Sequence, residues 1–517
     1  MNDFEGKNLP ETRAVIDIGS TSIRMVIAEI KIDGIRQIET LSKDTNLGRD
    51  TFKKGMISIE TAESCVSVLR GFKRVLAEYG IDSPERIKAV ATSAVREARN
   101  SETFVDRIYM AVGIKVDVID GADVNRLTFF GLQKSFSEEP FLSNNKVLVV
   151  EVGGGSLELI GMDSGRVSFS QTYRLGAFRL RERVENISAG PEETLEMYEA
   201  EILKTVRQIH EYVGRASNQK LLALGGDARF AASMLNKNWD GESISSVNLS
   251  RLNKLVESVI NQSEESLVQK YNMSFADAET LAPALKILAC LAGELHIRSI
   301  LVGTSTLRDG LLYELANGGA WTRSFMEQVE YSVRRVGEKY GYTREHADFV
   351  KDISLRLFKE MKFEHKLSRH YEGILVVASL LHDIGKYISN RSHHKHSQYL
   401  IENSDIFGLS DRDTSIAALV ARYHRRSLPK ASHDKYVSLD KDTRLTVKKL
   451  GSILRVADAL DYSRQFKAED ICIERTDSEL LFKISTNRDI AAEKVVVKEK
   501  SEWFERVYGH KVKFVAC

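Results

Sequence analysis

Glu151-Val-Gly-Gly-Gly-Ser-Leu-Glu-Leu159 follows directly on the apolar run Val147-Leu-Val-Val150. The run reads as a buried strand. Three consecutive glycines let the backbone turn sharply and approach a ligand, with amide N–H groups free to point one way. Glu151 sits at the strand end, where a hydrated Mg²⁺ bridging protein and phosphate oxygens would need a carboxylate. Ser156 adds a hydroxyl. An ordinary glycine-rich hairpin has the same composition, but a second copy argues against it. Ala14-Val-Ile-Asp-Ile-Gly-Ser-Thr-Ser-Ile-Arg-Met-Val-Ile-Ala28 runs from a strand into Asp17, Gly19 and the hydroxyls of Ser20, Thr21 and Ser22, then into another strand. Two strand–turn–strand cradles predict two related α/β domains holding a phosphate ligand between two acids.

A chain of 517 residues needs several cores. Its 43% hydrophobic and 28% charged content is that of an ordinary globular protein. No run of about 18 apolar residues is present, which predicts no membrane span. Met1–Lys7 has no apolar region of the secretory kind. Cys65, Cys290, Cys472 and Cys517 are scattered without a pairing pattern, so a cytoplasmic protein is expected. The net charge of +1 favours no partner. Histidine is lopsided: of 12, only His210 and His296 precede residue 321. Residues 321–517 also carry 36 Lys and Arg against 29 Asp and Glu. This part is a different domain, mildly suited to a polyanion.

The expected organisation is a polar tail over 1–12, a first α/β domain over 13–127, a second over 128–316, a helical domain over 320–465 and a strand-rich subdomain over 466–517. In the first domain, Thr92 and Ser93 end a strand and Arg96 falls in the first helical turn, where its guanidinium can fork to phosphate oxygens. The phosphate-binding set is Gly19, Ser20, Ser22, Arg96, Gly154, Gly155 and Ser156, with Asp17 and Glu151 for the metal.

Taken in order, Asp17-x-Gly-Ser-x-Ser22, Ala91-Thr-Ser-Ala-Val-Arg96, Gly153-Gly-Gly-Ser156, Gly176-Ala-x-Arg-Leu180, Ala223-x-Gly-Gly226 and Leu307-Arg-x-Gly310 resemble the exopolyphosphatase / guanosine pentaphosphate phosphatase (Ppx/GppA) family. The resemblance implies two ribonuclease-H-like domains of the actin-like ATPase fold, with a cleft between them. It implies Mg²⁺-dependent removal of terminal phosphate from inorganic polyphosphate or guanosine pentaphosphate, and a homodimer. No membrane and no specific nucleic acid are expected as partners. Three positions depart from the family. Val124 stands where the family has its catalytic Glu, leaving Asp123 as the nearest acid. Glu151 replaces an Asp, and Asp227 replaces a hydroxyl residue. General-base catalysis contributes about 10²–10⁴ in rate, so the expectation is an impaired enzyme that uses Glu151 and Asp123.

After residue 320, His346, His382-Asp383 and Asp458 resemble the ordered ligands of HD-superfamily phosphohydrolases. His396 and His424 resemble further metal ligands, and Lys386 a phosphate contact. His393 and His394 read as bystanders. The implied metal is divalent: Mn, Fe, Mg or Zn. Two alternatives to an active cleft follow. In one, the first half is a sensor and the HD domain is the hydrolase; in the other, the protein is a non-enzymatic regulatory binder.

Overall fold

The computed structural model describes residues 11–31, 34–133, 135, 139–184, 190–214, 219–425, 427–465, 470–476, 478–485 and 490–516. The chain forms two compact units, one ending at Thr322 and one beginning at Arg323.

The first unit contains two sheets. Strands β1 (Glu11–Ile18), β2 (Ser22–Lys31), β3 (Gly34–Asp44), β4 (Ile87–Ala91) and β5 (Val116–Val118) are ordered β3-β2-β1-β4-β5. The second sheet uses β6 (Lys146–Val152), β7 (Leu157–Asp163), β8 (Arg166–Tyr173), β9 (Lys220–Leu224), β10 (Ser245–Asn248) and β11 (Ser299–Val302), in the order β10-β11-β9-β6-β7-β8. Read from β8 inward, it repeats the first sheet: an antiparallel meander of three strands, then parallel neighbours. One extra antiparallel edge strand, β10, completes it. The repeat of the glycine cradle is therefore a repeat of a whole sheet. The central strands are apolar on both faces, as helix-covered strands must be. Ile16, Ile18, Ala89 and Ala91 sit in the first core and Leu148, Val150, Leu221 and Ala223 in the second.

The helix Ile59–Glu78 starts where Ser58 accepts a hydrogen bond from the Thr61 amide, the ordinary N-cap arrangement. The helix Leu307–Ala316 follows the second sheet in sequence yet packs on β1 and on the helix Gly121–Gly131. A capping box between Thr306 and Asp309 fixes its start. Gly310 permits the contact: a Cβ there would lie 1.9 Å from the Leu127 carbonyl oxygen.

The second unit is helical from Arg323–Lys339 to Lys441–Ala459. It ends with β12 (Asp470–Arg475), β13 (Glu479–Ser485) and β14 (Lys511–Ala516) in one small sheet. The strand-rich reading of the tail needs a correction, because Ala491–Tyr508 is a helix. Its Val495-Val-Val497 run carries β propensity, but Val497, Ser501, Phe504 and Tyr508 fall at helical spacing and are buried. The helix packs on Lys441–Ala459, where Tyr508 Oη donates to the Lys449 carbonyl. Tertiary burial outweighs local propensity here. Among the described residues no helix is long and apolar enough to cross a membrane.

Candidate active-site cleft and histidine cluster

The two glycine cradles of the first unit face one cavity of about 290 Å³. Asp17, Gly19, Ser20, Ser22, Arg96, Glu151, Gly154 and Ser156, all named from the sequence, line it. Gly155 does not; a Cβ there would collide with Phe52 and Ser93. Gly176 lies against the cradle so closely that a Cβ would sit 2.4 Å from the Gly154 carbonyl oxygen.

Strand register pairs the charges. Residues directly opposite across an antiparallel pair share a face. Asp17 stands opposite Arg24, and Glu151 opposite Glu158. Arg308 Nη1 also lies 3.2 Å from Asp17 Oδ2. Burial pushes the Asp17 carboxyl up, against the pull of Arg308 and Arg24. Burial likewise raises Glu151, opposed by Arg229 and assisted by repulsion from Asp17. Two buried acids facing one cavity, with Asp17 raising Glu151, fit a hard divalent cation with oxygen ligands.

Glu158 was not singled out from the sequence. It lines the cavity, and Ser156 Oγ donates to its Oε1 at 2.6 Å. Burial, opposed by that hydrogen bond and reinforced by Glu151, pushes its pKa up to about 7. A signal was available: Glu158 is two residues past Ser156, so the alternation of extended chain puts both side chains on one side. Arg24, also missed, follows from the same alternation. Asp227 lines the cavity too, and burial together with Asp277 raises it to about 7.

Asp123 is a correction to the sequence reading. It is absent from the cavity lining and paired with Arg126 at 2.8 Å, while Arg126 also holds Glu314. The helix Gly121–Gly131 is capped by Asp120, whose Oδ1 accepts from the Asp123 amide. That cap fixes the register and turns Val124, not Asp123, toward the cleft.

In the second unit, six side chains converge as His346, His382 and Asp458 beside Asp383, His393 and His424. His396 belongs to neither group, so the sequence choice between His393 and His396 is reversed. The helix His393–Glu402 begins at His393, which points inward and is buried. His396, three residues along, lies just off that face. Lys386 Nζ is 2.7 Å from Asp383 Oδ2, and Arg464 reaches the same oxygen. Lys500, from the helix in the tail, is 2.5 Å from Asp458 Oδ2.

The electrostatics of this cluster are strongly coupled. Burial pushes Asp383 up, but His382, His393 and His424 outweigh it and hold the carboxyl well below the ordinary range. Asp458 behaves alike: burial is outweighed by Lys500, His346 and His382. Burial drives the His424 pKa well down against the attraction of Asp458. For His346, burial is overcome by Asp458 and Asp461, and the net shift is upward.

Paired sheets of matching topology, with a glycine cradle and an acid on each, define a duplicated, actin-like α/β architecture. The chain belongs to the Ppx/GppA phosphatase family, matching it over residues 15–318 and its domain III over residues 329–501. Among solved structures it resembles an exopolyphosphatase from Cytophaga hutchinsonii, with 23% identity over 60% of this chain and 99% of that chain and a TM-score of 0.54. An exopolyphosphatase-like protein matches at 22% identity over 59% of this chain and 98% of the other, with a TM-score of 0.53. A Ppx/GppA family member from Aquifex aeolicus matches at 23% identity, over 59% and 97%, with a TM-score of 0.49.

Proposed function

We propose that the cleft of the first unit hydrolyses the terminal phosphoanhydride of inorganic polyphosphate or of guanosine pentaphosphate. The observation that carries this is Glu158, a carboxylate with a pKa raised to about 7, in the same cavity as both phosphate cradles. A base poised near neutral pH is matched to accepting a proton from attacking water. Its presence answers the difficulty posed by Val124. In this reading the enzyme carries its base on β7 and is not crippled by the missing side chain on the helix Gly121–Gly131.

Gly19, Ser20, Ser22, Gly154 and Ser156 present backbone and hydroxyl donors to phosphate oxygens, and Arg96 and Arg24 supply charge. Arg96 is oriented by donating to the Ile119 carbonyl at 2.7 Å. Asp17 and Glu151 would hold Mg²⁺, which when bound neutralises phosphate charge. Phosphoryl transfer asks mostly for positioning and charge neutralisation, which these residues provide. Water oxygen attacks the terminal phosphorus, the bridging P–O bond breaks, Glu158 takes the water proton, and the shortened phosphate chain leaves.

The test is phosphate release from long-chain polyphosphate and from guanosine pentaphosphate, with Mg²⁺, on wild type, Glu151→Ala and Glu158→Gln. Release that falls at least 100-fold in both variants supports the reading. Release that ignores both residues overturns it.

A further inference from the structure

The cavity of the first unit has two kinds of wall. One side carries Ser20, Arg96, Gly154 and Ser156, all suited to phosphate oxygens. The other carries Asp227, Asp277, Phe230, Met273 and Leu281, which the proposed reaction leaves without a task. Arg24 stands between the two. It faces Asp17 across the strand pair and also draws on the Asp227 carboxylate. Beyond Arg24 the wall offers carboxylates in place of donors.

Local structure fixes this wall. β9 runs into Gly225, whose φ of 102° turns the chain into the helix Gly226–Leu235. Asp227 falls in the first turn of that helix, and Phe230, three residues on, shares its face. The Phe230 and Tyr271 rings cross at 85° with centroids 5.2 Å apart, which holds the Phe230 ring in place. The helix Phe275–Glu294 packs against this one and is capped by Ser274, whose Oγ accepts from the Asp277 amide at 3.1 Å. The cap spends the amide of Asp277 and leaves its carboxylate beside Asp227, which it repels. Leu281 follows one turn later.

Charge decides what this wall accepts. Burial and Asp277 together drive the Asp227 pKa up to about 7, so the place already resists two negative charges. A phosphate group there would add a third, with little solvent to screen it. A hydroxyl group instead donates to a carboxylate in a charge-assisted hydrogen bond. A flat ring can lie on Phe230, with Met273 and Leu281 beside it. Hydroxyls on one part and a flat ring on the next describe a nucleoside.

We infer that the cleft takes nucleoside 5′-triphosphates as a further substrate class, with the ribose hydroxyls on Asp227 and Asp277 and the base on Phe230, and that it prefers them to an inorganic chain of equal length. This substrate class rests on the cleft hydrolysing terminal phosphoanhydrides, as proposed above. The phosphates lie along the cradles as far as Arg24, and the sugar begins where the donors end. Water oxygen bonds the terminal phosphorus, the bridging P–O bond breaks, Glu158 takes the water proton, and the nucleoside diphosphate leaves. Asp227 and Asp277 touch only the leaving half, so they set specificity and take no part in the proton transfer.

The experiment uses the full chain with Mg²⁺ and follows phosphate release from adenosine 5′-triphosphate, its 2′,3′-dideoxy form, tripolyphosphate and long-chain polyphosphate. In the wild type, kcat/KM for the ribonucleotide should exceed that for tripolyphosphate at least about tenfold, and the dideoxy form should lose that advantage. Asp227→Ser should lower kcat/KM for the ribonucleotide about tenfold and raise it about tenfold for both inorganic substrates. Phe230→Ala should lower it for the nucleotides alone. Movement in opposite directions cannot come from misfolding, which lowers every rate, and the dideoxy comparison needs no variant. Equal rates on the ribonucleotide and tripolyphosphate, or on the ribonucleotide and its dideoxy form, overturn the inference. So does a fall on all substrates in an Asp227→Ser variant with native circular dichroism. Glu151→Ala separates the two readings. Inorganic release that depends on Glu151, without preference for the nucleotide, leaves the cleft an enzyme and sinks the inference. Release from no substrate that depends on Glu151 sinks both.

Discussion

The hairpins β1–β2 and β6–β7 share topology, a glycine turn and an acid near the strand end, and burial raises both acids, yet they set opposite charges across from them. Asp17 faces Arg24 across the strand pair and receives Arg308 from the helix Leu307–Ala316. Glu151 faces another carboxylate, Glu158. The first hairpin is built to neutralise charge, while the second concentrates it in a buried place, and one of its two acids rises to about 7. In the proposed reaction this duplicated architecture divides the work: one copy binds, and the other moves a proton.

The largest expected effect falls on Glu158. Glu158→Gln should lower kcat for polyphosphate by about 10²–10⁴ and remove the pH dependence it causes. In the wild type the base is competent only when deprotonated. Activity should therefore rise with pH, about tenfold per unit below neutrality, and level off above about 7. A flat wild-type profile between pH 5.5 and 8 would break the contrast between the hairpins. The same group should make stability fall with pH. Its folded pKa exceeds its ordinary 4.5, so the folded state binds the proton more strongly. That stabilisation is complete below pH 4.5 and is lost as pH rises to about 7. In Mg²⁺-free buffer at pH 8, Glu158→Gln should be more stable than wild type in urea denaturation, by on the order of 1–3 kcal/mol.

Gly310→Ala strikes the support of the first hairpin. The new methyl would collide with the Leu127 carbonyl, costing about 1–3 kcal/mol in stability and drawing Arg308 away from Asp17. Thermal melting and KM should both register it. An unchanged KM would show that Arg308 does not serve the first hairpin. Arg24→Met should raise KM for polyphosphate about tenfold, as expected for one charge-assisted contact, with kcat changed less. A fall in kcat at constant KM would instead place Arg24 with the chemistry. The smallest effect is expected from Val124→Glu. With Glu158 as the base, a second carboxylate is superfluous and activity should change less than tenfold. A rise of about 100-fold would mean that the base was lost with Val124 and that β7 does not supply it.

Repetition was legible from the chain because phosphate cradles need glycine, hydroxyl and acid at short fixed spacing. The strand runs before Asp17 and Glu151, the capped helix at Ser58 and the cavity-lining Gly19, Ser20, Ser22, Arg96 and Ser156 are all consequences of local order. Motif order likewise brought His346, His382, Asp383, His424 and Asp458 together. Choices separated by less than a helical turn were not legible. Asp123 against Val124 depended on the Asp120 cap and the Arg126–Glu314 pairing, the second a contact across nearly 190 positions of chain. His393 against His396 depended on where a helix begins, which Ser392, in a left-handed conformation, decides.

The sequence by itself determined the paired α/β lobes, the family motifs and the presence of a histidine-rich second unit, because periodicity and motif spacing are local properties of the chain. Only the tertiary structure decided that Glu158 faces Glu151, that Lys500 and Arg464 reach the aspartates, and that the Ala491–Tyr508 segment is helical. Each of these rests on strand register, burial or long-range packing, which arise only once distant segments are held against one another.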